Sequence, residues 1–298
     1  MKLRIQARAK INWTLDVVGV LENGYHDLDM LMQSVTLCDQ MTMEDAPDLT
    51  LLVRSGGAYV PADESNLVLR AAQALRAHTG CGKGARITLR KYIPVAAGMG
   101  GGSSDAAATL KGLNELWGLG LGDDELEAVG LGIGADVPFC VRGGLQRAQG
   151  VGERLTPLRL GRPLYLVAFQ PCRGLSTREV FAGLHEGGVR EEDRPDNDAA
   201  QRALARGDVR ALGRSLGNVL EPVSRRMRPD IDRAIRDIEA AGAVGARMTG
   251  SGSAVFGVFA HAGACRRAAE ALQKAYPACR MMRTAECGVC IEREGETP

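Results

Sequence analysis

The 298-residue chain reads as a two-domain protein that mixes strands with helices. Its length is about twice a typical domain of about 150 residues. Segments with the two-residue period of strands and the 3.6-residue period of helices follow one another along both halves, and no longer unit repeats. The texture changes at 155–163, where Pro157 and Pro163 interrupt the pattern. The expected domains are residues 1–158 and 159–298.

The first strand is expected over 2–20. Ala7, Ala9, Ile11, Trp13 and Leu15 share one face, and Lys10, Asn12, Thr14 and Asp16 share the other. Lys10 and Asn12 lie two residues apart, about 6.6 Å along a strand, so both can touch one ligand. Taken alone, the strand favours a solvated lysine on an outer sheet face. Asn23-Gly24 is a turn signal, because both residues tolerate positive φ. Tyr25 and His26 follow it, an aromatic beside a hydrogen-bonding imidazole, which suits a nucleobase.

Further strands are expected at 31–43, 49–54 and 85–93. A helix is expected at 66–78, with Leu67, Ala71, Ala74 and Leu75 on one stripe, and another at 104–117. The apolar run 137–141 reads as a short strand. In the second half, 164–169 reads as a buried strand and 196–241 as helix-rich. A strand–glycine–strand unit follows at 246–260, then a helix at 263–276 and a final strand at 280–291. The tail 292–298 is polar and expected to fray.

Lys and Arg total 37 against 36 Asp and Glu, a formal net charge of +1. That balance argues against a dedicated nucleic-acid binder. No apolar run approaches the roughly 18 residues that span a bilayer. Lys2, Arg4, Arg8 and Lys10 leave no room for a signal-peptide apolar stretch. A soluble cytoplasmic protein with no membrane partner is expected. Eight cysteines are too sparse for a disulfide scaffold. Cys287 and Cys290 form a lone CxxC with no second pair and no nearby histidine, and read as strand.

Glycine is the abnormal number, 38 residues, about twice the ordinary share of about 7%. The glycines crowd into 94–104, 130–152 and 242–257. In the first stretch a strand runs into Pro94-Val95-Ala96-Ala97-Gly98-Met99-Gly100-Gly101-Gly102-Ser103-Ser104, and a helix follows, with Ser103 or Ser104 able to cap it. A strand, a glycine loop and a helix N-terminus make an anion site, where free N–H groups and the helix dipole meet a phosphate. It is neither a Walker A loop nor a dinucleotide GxGxxG. A phosphate cradle of another kind and a close-packed turn both remain open on the residues alone. Asp105 puts negative charge in the first turns, against an anion there, or else reinforces the cap. Asp136 stands at the mouth of the apolar run 137–141. An acid in that setting needs a partner, and Lys10 is one candidate.

Three segments together resemble the GHMP small-molecule kinases. They are Ala9-Lys10-Ile11-Asn12, the loop and helix of 94–108, and Met248-Thr249-Gly250-Ser251-Gly252-Ser253-Ala254. The strings Asn23-Gly24-Tyr25-His26-Asp27, Gly134-Ala135-Asp136-Val137-Pro138-Phe139 and Asn218-Val219-Leu220-Glu221 support it. The resemblance runs over about residues 2–289. It implies an α+β fold, with an N-terminal domain like ribosomal protein S5 domain 2, a ferredoxin-like C-terminal domain, and an active site in the cleft between them. It implies ATP and Mg²⁺, with Lys10 and Asp136 as the catalytic pair and 94–104 as the ATP loop. Ser103 or Ser104 would meet the metal. Within the family the match is to the branch that phosphorylates the 2-hydroxyl of a cytidine diphosphate-linked methylerythritol in isoprenoid precursor synthesis. Asn12, Tyr25, His26, Thr177 and Phe181 would contact that substrate. Rival readings are a family member with another acceptor, or a sensor without turnover; a sensor would be expected to have lost Lys10 or Asp136. A monomer or weak homodimer is expected.

Overall fold

The computed structural model describes residues 1–22, 24–56 and 59–294. Asn23 of the expected turn and the end of the tail, 295–298, lie outside the described residues. The first half runs β1 (Lys2–Val20), β2 (His26–Ala46), β3 (Leu49–Ser55), α1 (Leu67–Thr79), β4 (Gly84–Lys91), α2 (Gly101–Trp117), α3 (Asp123–Leu131), α4 (Val137–Arg142), β5 (Leu145–Gly150) and β6 (Arg154–Pro157). The second runs β7 (Tyr165–Phe169), α5 (Thr177–Gly187), α6 (Asn197–Arg206), α7 (Val209–Ser215), β8 (Gly217–Asn218), α8 (Glu221–Met227), α9 (Pro229–Ala240), β9 (Gly245–Met248), β10 (Val255–Phe259), α10 (Ala262–Leu272), β11 (Arg280–Arg283) and β12 (Val289–Arg293).

The first sheet has eight strands on the path β12-β1-β2-β4-β3, with β5 and β6 continuing from β2, and β8 pairing with β1. The second is a four-stranded antiparallel sheet, β11-β7-β10-β9. Strands and helices are both present in each half, as expected for α+β. The stretch expected as one final strand is two. Arg280–Arg283 joins the second sheet, and Val289–Arg293 returns to pair with β1. Only residues 284–288 separate the two pieces, too short a break for period or composition to mark. Among the described residues, no helix is long and apolar enough to cross a membrane.

The long β1–β2 pair shifts register between Arg8 and Lys10 and again between Asn12 and Thr14. Such irregularities bend a strand and re-aim its side chains. The face expected to be solvated is buried: Lys10, Asn12, Thr14 and Asp16 are each at most 7% exposed. The outer-face lysine is therefore corrected. The glycine loop packs on Lys10, the turn after β9 on Asn12, and Arg194 pairs with Asp16.

The run 137–141 is helical, not a strand. Pro138 suits the first turn of a helix, where no N–H is required, and Asp136 is its N-cap residue. Helix α1 starts as expected, with the Asn66 side chain accepting from Val68 N. Helix α2 starts three residues earlier than expected. Its N-cap is Gly100, in the left-handed region, and no side chain caps it. Neither serine does the expected capping; the Ser104 hydroxyl instead donates to Arg8 O at 2.7 Å and to Gly100 O at 3.0 Å.

Candidate active site

An uncapped helix start leaves its first N–H groups without helical partners. Here those groups belong to Gly101, Gly102 and Ser103, and they face a cavity of about 390 Å³. Its walls include Pro94 to Gly98 of the loop, with Asn66, Leu67 and Lys91 opposite. The loop reaches this shape through left-handed residues, Ala96, Gly98 and Gly100. A Cβ on Gly98 would sit 2.2 Å from Thr249 O, so the loop and the turn after β9 touch backbone to backbone. Ala254 N donates to Ala97 O at 3.0 Å across the same seam.

Lys10 lies beside the loop. Its backbone N–H donates to Met99 O at 3.0 Å, and a Cβ on Gly100 would meet its Cγ at 2.9 Å. Its Nζ donates to Asn12 Oδ1 at 2.9 Å and stands 3.5 Å from Asp136 Oδ2. The Lys10 side chain is 5% exposed and that of Asp136 33%. The two residues, 126 positions apart, thus form an ion pair, its lysine packed against Gly100 of the loop. Because the Asp136 carboxylate makes no capping bond to its own helix, it is free to face the lysine.

Asn12 holds the lysine in place more than it opens to either cavity. Its Oδ1 also accepts from Thr249 Oγ1 at 3.3 Å, its N–H donates to that hydroxyl at 3.0 Å, and its Nδ2 lies 3.3 Å from Met30 Sδ. Thr249 is the site residue that reading residue by residue missed. Its signal was the strand–glycine–strand unit, which puts a short polar side chain on a tight turn. Glu221 and Asn218 brace the same turn: Glu221 accepts from Met248 N at 2.8 Å, and Asn218 donates to Met248 O and Gly250 O. Burial pushes the Glu221 carboxyl above its usual range.

A second cavity, about 780 Å³, is lined by Tyr25, His26, Thr177 and Phe181, with Ala135 at one end. The rings of His26 and Phe181 lie against each other, tilted by 34°, with centroids 4.5 Å apart. Thr177 Oγ1 lies 2.8 Å from Ser251 Oγ, tying α5 to the turn after β9. Burial and the nearby His185 hold the His26 imidazole below its ordinary value of 6.5. Gly100, which lines the first cavity, lies against the Lys10 side chain, and Ala135, which lines the second, precedes Asp136 in the chain.

The profile described as the GHMP kinases N terminal domain matches residues 66–144, and that of the GHMP kinases C terminal matches residues 200–278. The chain is similar to 4-diphosphocytidyl-2-C-methyl-D-erythritol kinase of Alkaliphilus metalliredigens, 39% identical over 92% of this chain and 94% of the relative. It is 44% identical to the enzyme of the same name from Symbiobacterium thermophilum, over 86% of this chain and 90% of the relative. A crystal structure of 4-(cytidine 5'-diphospho)-2C-methyl-D-erythritol kinase superposes with a TM-score of 0.80 at 35% identity, covering 95% of this chain and 99% of that one. Homoserine kinase from Cytophaga hutchinsonii shares the fold, with a TM-score of 0.74 at 19% identity over 98% and 97% of the two chains.

Proposed function

Since the chain belongs to the GHMP kinase family, we propose that it transfers the γ-phosphoryl group of ATP to the 2-hydroxyl of 4-diphosphocytidyl-2-C-methyl-D-erythritol. The observation that carries this reading is the Lys10–Asp136 pair, Nζ to Oδ2 3.5 Å, with Lys10 against Gly100 of the glycine-lined cavity and Asp136 next in the chain to Ala135 of the aromatic one. The 39% and 44% identity to enzymes of that name supports the choice of acceptor.

In this reading the triphosphate lies on the loop 94–104, against the N–H groups that begin α2. The transition state of phosphoryl transfer is loose, so catalysis is mostly positioning and charge stabilisation. Lys10 neutralises charge on the γ-phosphoryl oxygens. The acceptor oxygen bonds to phosphorus as the bond to ADP breaks, and Asp136 takes the hydroxyl proton. Such proton transfer is worth typically about 10²–10⁴-fold. His26, Phe181 and Tyr25 receive the cytosine, and Thr177 closes the same cavity.

Mg²⁺ fits this donor set. It favours hard oxygen ligands, one or two from protein and the rest from phosphate and water. Ser103 lines the glycine-loop cavity, whereas Ser104 is fully buried with its hydroxyl turned to backbone, which supports Ser103 as the serine that meets the ion. Ser103 Oγ lies 3.9 Å from where a Gly134 Cβ would stand, on the Asp136 side. Ser103 would hold the ion, which would supply neutralisation of the phosphate charge. Among the described residues no three His, Cys, Asp or Glu cluster to hold a metal without a nucleotide.

The test is a panel of acceptors incubated with ATP and scored by mass. A gain of one phosphate is expected on the cytidylated methylerythritol and not on homoserine, mevalonate or free sugars. Phosphorylation of one of those instead would move the protein to another branch of the family. ATP hydrolysis indifferent to acceptor would remove the reading.

A further inference from the structure

Lys91, the last residue of β4, carries a nearly buried ammonium, its side chain 6% exposed. The ammonium donates to Asp39 of β2, and to Asp105 Oδ2 of α2 at 2.6 Å. Asp39 is fully buried, and its Oδ1 also accepts the backbone N–H groups of Tyr92 at 2.5 Å and Ile93 at 2.9 Å. Asp105, expected to oppose an anion or reinforce the cap, does not cap the helix, and turns to Lys91. Its Oδ1 is buried with no hydrogen-bond partner among the described residues.

These bonds fall on both sides of the loop. Tyr92 and Ile93 immediately precede Pro94, and Asp105 lies in the second turn of the helix that the loop feeds. One ammonium therefore ties the entry of the loop to its exit. Between the two ties the chain holds Ala96 at φ +53°, a conformation unfavourable for a residue with a Cβ. Such a conformation persists only where the surroundings hold it. Lys91 and Asp105 also line the cavity of about 390 Å³, and a Cβ on Gly101 would come within 3.3 Å of Lys91 Nζ. Stability alone is a poor reason for the arrangement, since well-packed apolar residues commonly match or exceed a buried ion cluster. Fixing a loop in its binding shape is a better one, because the ordering cost is then met before the ligand arrives.

We propose that Asp39, Lys91 and Asp105 form a staple that pre-shapes the nucleotide loop, with Lys91 a positioning residue for ATP. The proposal rests on the reading that this loop holds ATP. Its loss weakens nucleotide binding and leaves the transfer step alone.

The experiment compares the intact protein with Lys91→Met/Asp105→Leu, which removes the cation and its orphaned carboxylate together. The double variant is expected to keep the wild-type circular dichroism and the wild-type KM for the acceptor. Its KM for ATP is expected to rise about tenfold or more, equivalent to about 1.4 kcal/mol of binding, with kcat within about threefold. Asp105→Asn, which still accepts from Lys91, is expected to stay near wild type in ATP KM. An unchanged ATP KM in the folded double variant overturns the staple, as does a fall in kcat at unchanged KM. Should the double variant not fold, Lys91→Gln, which shortens the side chain and removes the charge, takes its place, and an unchanged ATP KM there overturns it equally. Absence of saturable ATP binding in the wild type would instead overturn the functional reading on which the staple stands.

Discussion

A buried ammonium needs compensation, and Lys10 finds it in Asn12 and Asp136 at 2.9 and 3.5 Å. That places the carboxylate to orient an alcohol and take its proton. Replacing Asp136 with Asn keeps the shape and removes the base. Turnover of Asp136→Asn is expected to fall at least ~10²-fold with ATP KM little changed; near-wild-type turnover would take Asp136 out of the mechanism. His26 gives a pH prediction. Burial, with His185 second, lowers its pKa below 6.5, so the imidazole is neutral at neutral pH. The unfolded chain binds this proton more readily, so the stability tied to neutral His26 is present at higher pH and declines as pH falls below 6.5. The acceptor KM, measured against pH, is accordingly expected to stay flat down to 6.5 and to rise only below it. Lys10, Asn12 and Asp136 were legible as residue types at suggestive places. That Lys10 is buried was not, because a single strand cannot show which of its faces another layer will cover.

The elements that carry these residues are held by close backbone contact. Gly98 shows it best, with φ +78° and Thr249 O only 2.2 Å from where a Cβ would be. Its neighbours there, Thr249 and Gly252, present backbone and cannot move aside. Gly98→Ala is expected to cost about 2–4 kcal/mol, from overpacking and from a left-handed residue with a Cβ. Thermal unfolding would show a lowered Tm, together with a raised ATP KM; a variant with wild-type Tm would mean the seam yields. The strand, glycine loop and helix at 85–117 were readable from period and composition. Helix α4 was not, because five apolar residues in a row carry no periodicity, and the helix-favouring sign was the position of Pro138. The Lys91 staple was equally hidden, since a lysine at a strand end ordinarily reaches water.

On the scale of the molecule, the site exists because distant segments return to β1. Strand β12 pairs with one edge of β1, β8 pairs in parallel at Thr14 and Leu15, and the turn after β9 hydrogen-bonds Asn12. The two halves are thus joined through the strand that carries Lys10. The order of motifs along the chain foretold the family, whereas these returns depend on pairings that no local pattern records. The most direct measurement is a crystal structure with a non-hydrolysable ATP analogue and the cytidylated acceptor bound together. The expected result puts the γ-phosphoryl group beside Lys10 Nζ and the acceptor 2-hydroxyl within about 2.6–3.2 Å of the Asp136 carboxylate. A triphosphate bound away from the glycine loop, or an acceptor hydroxyl out of reach of Asp136, would contradict it.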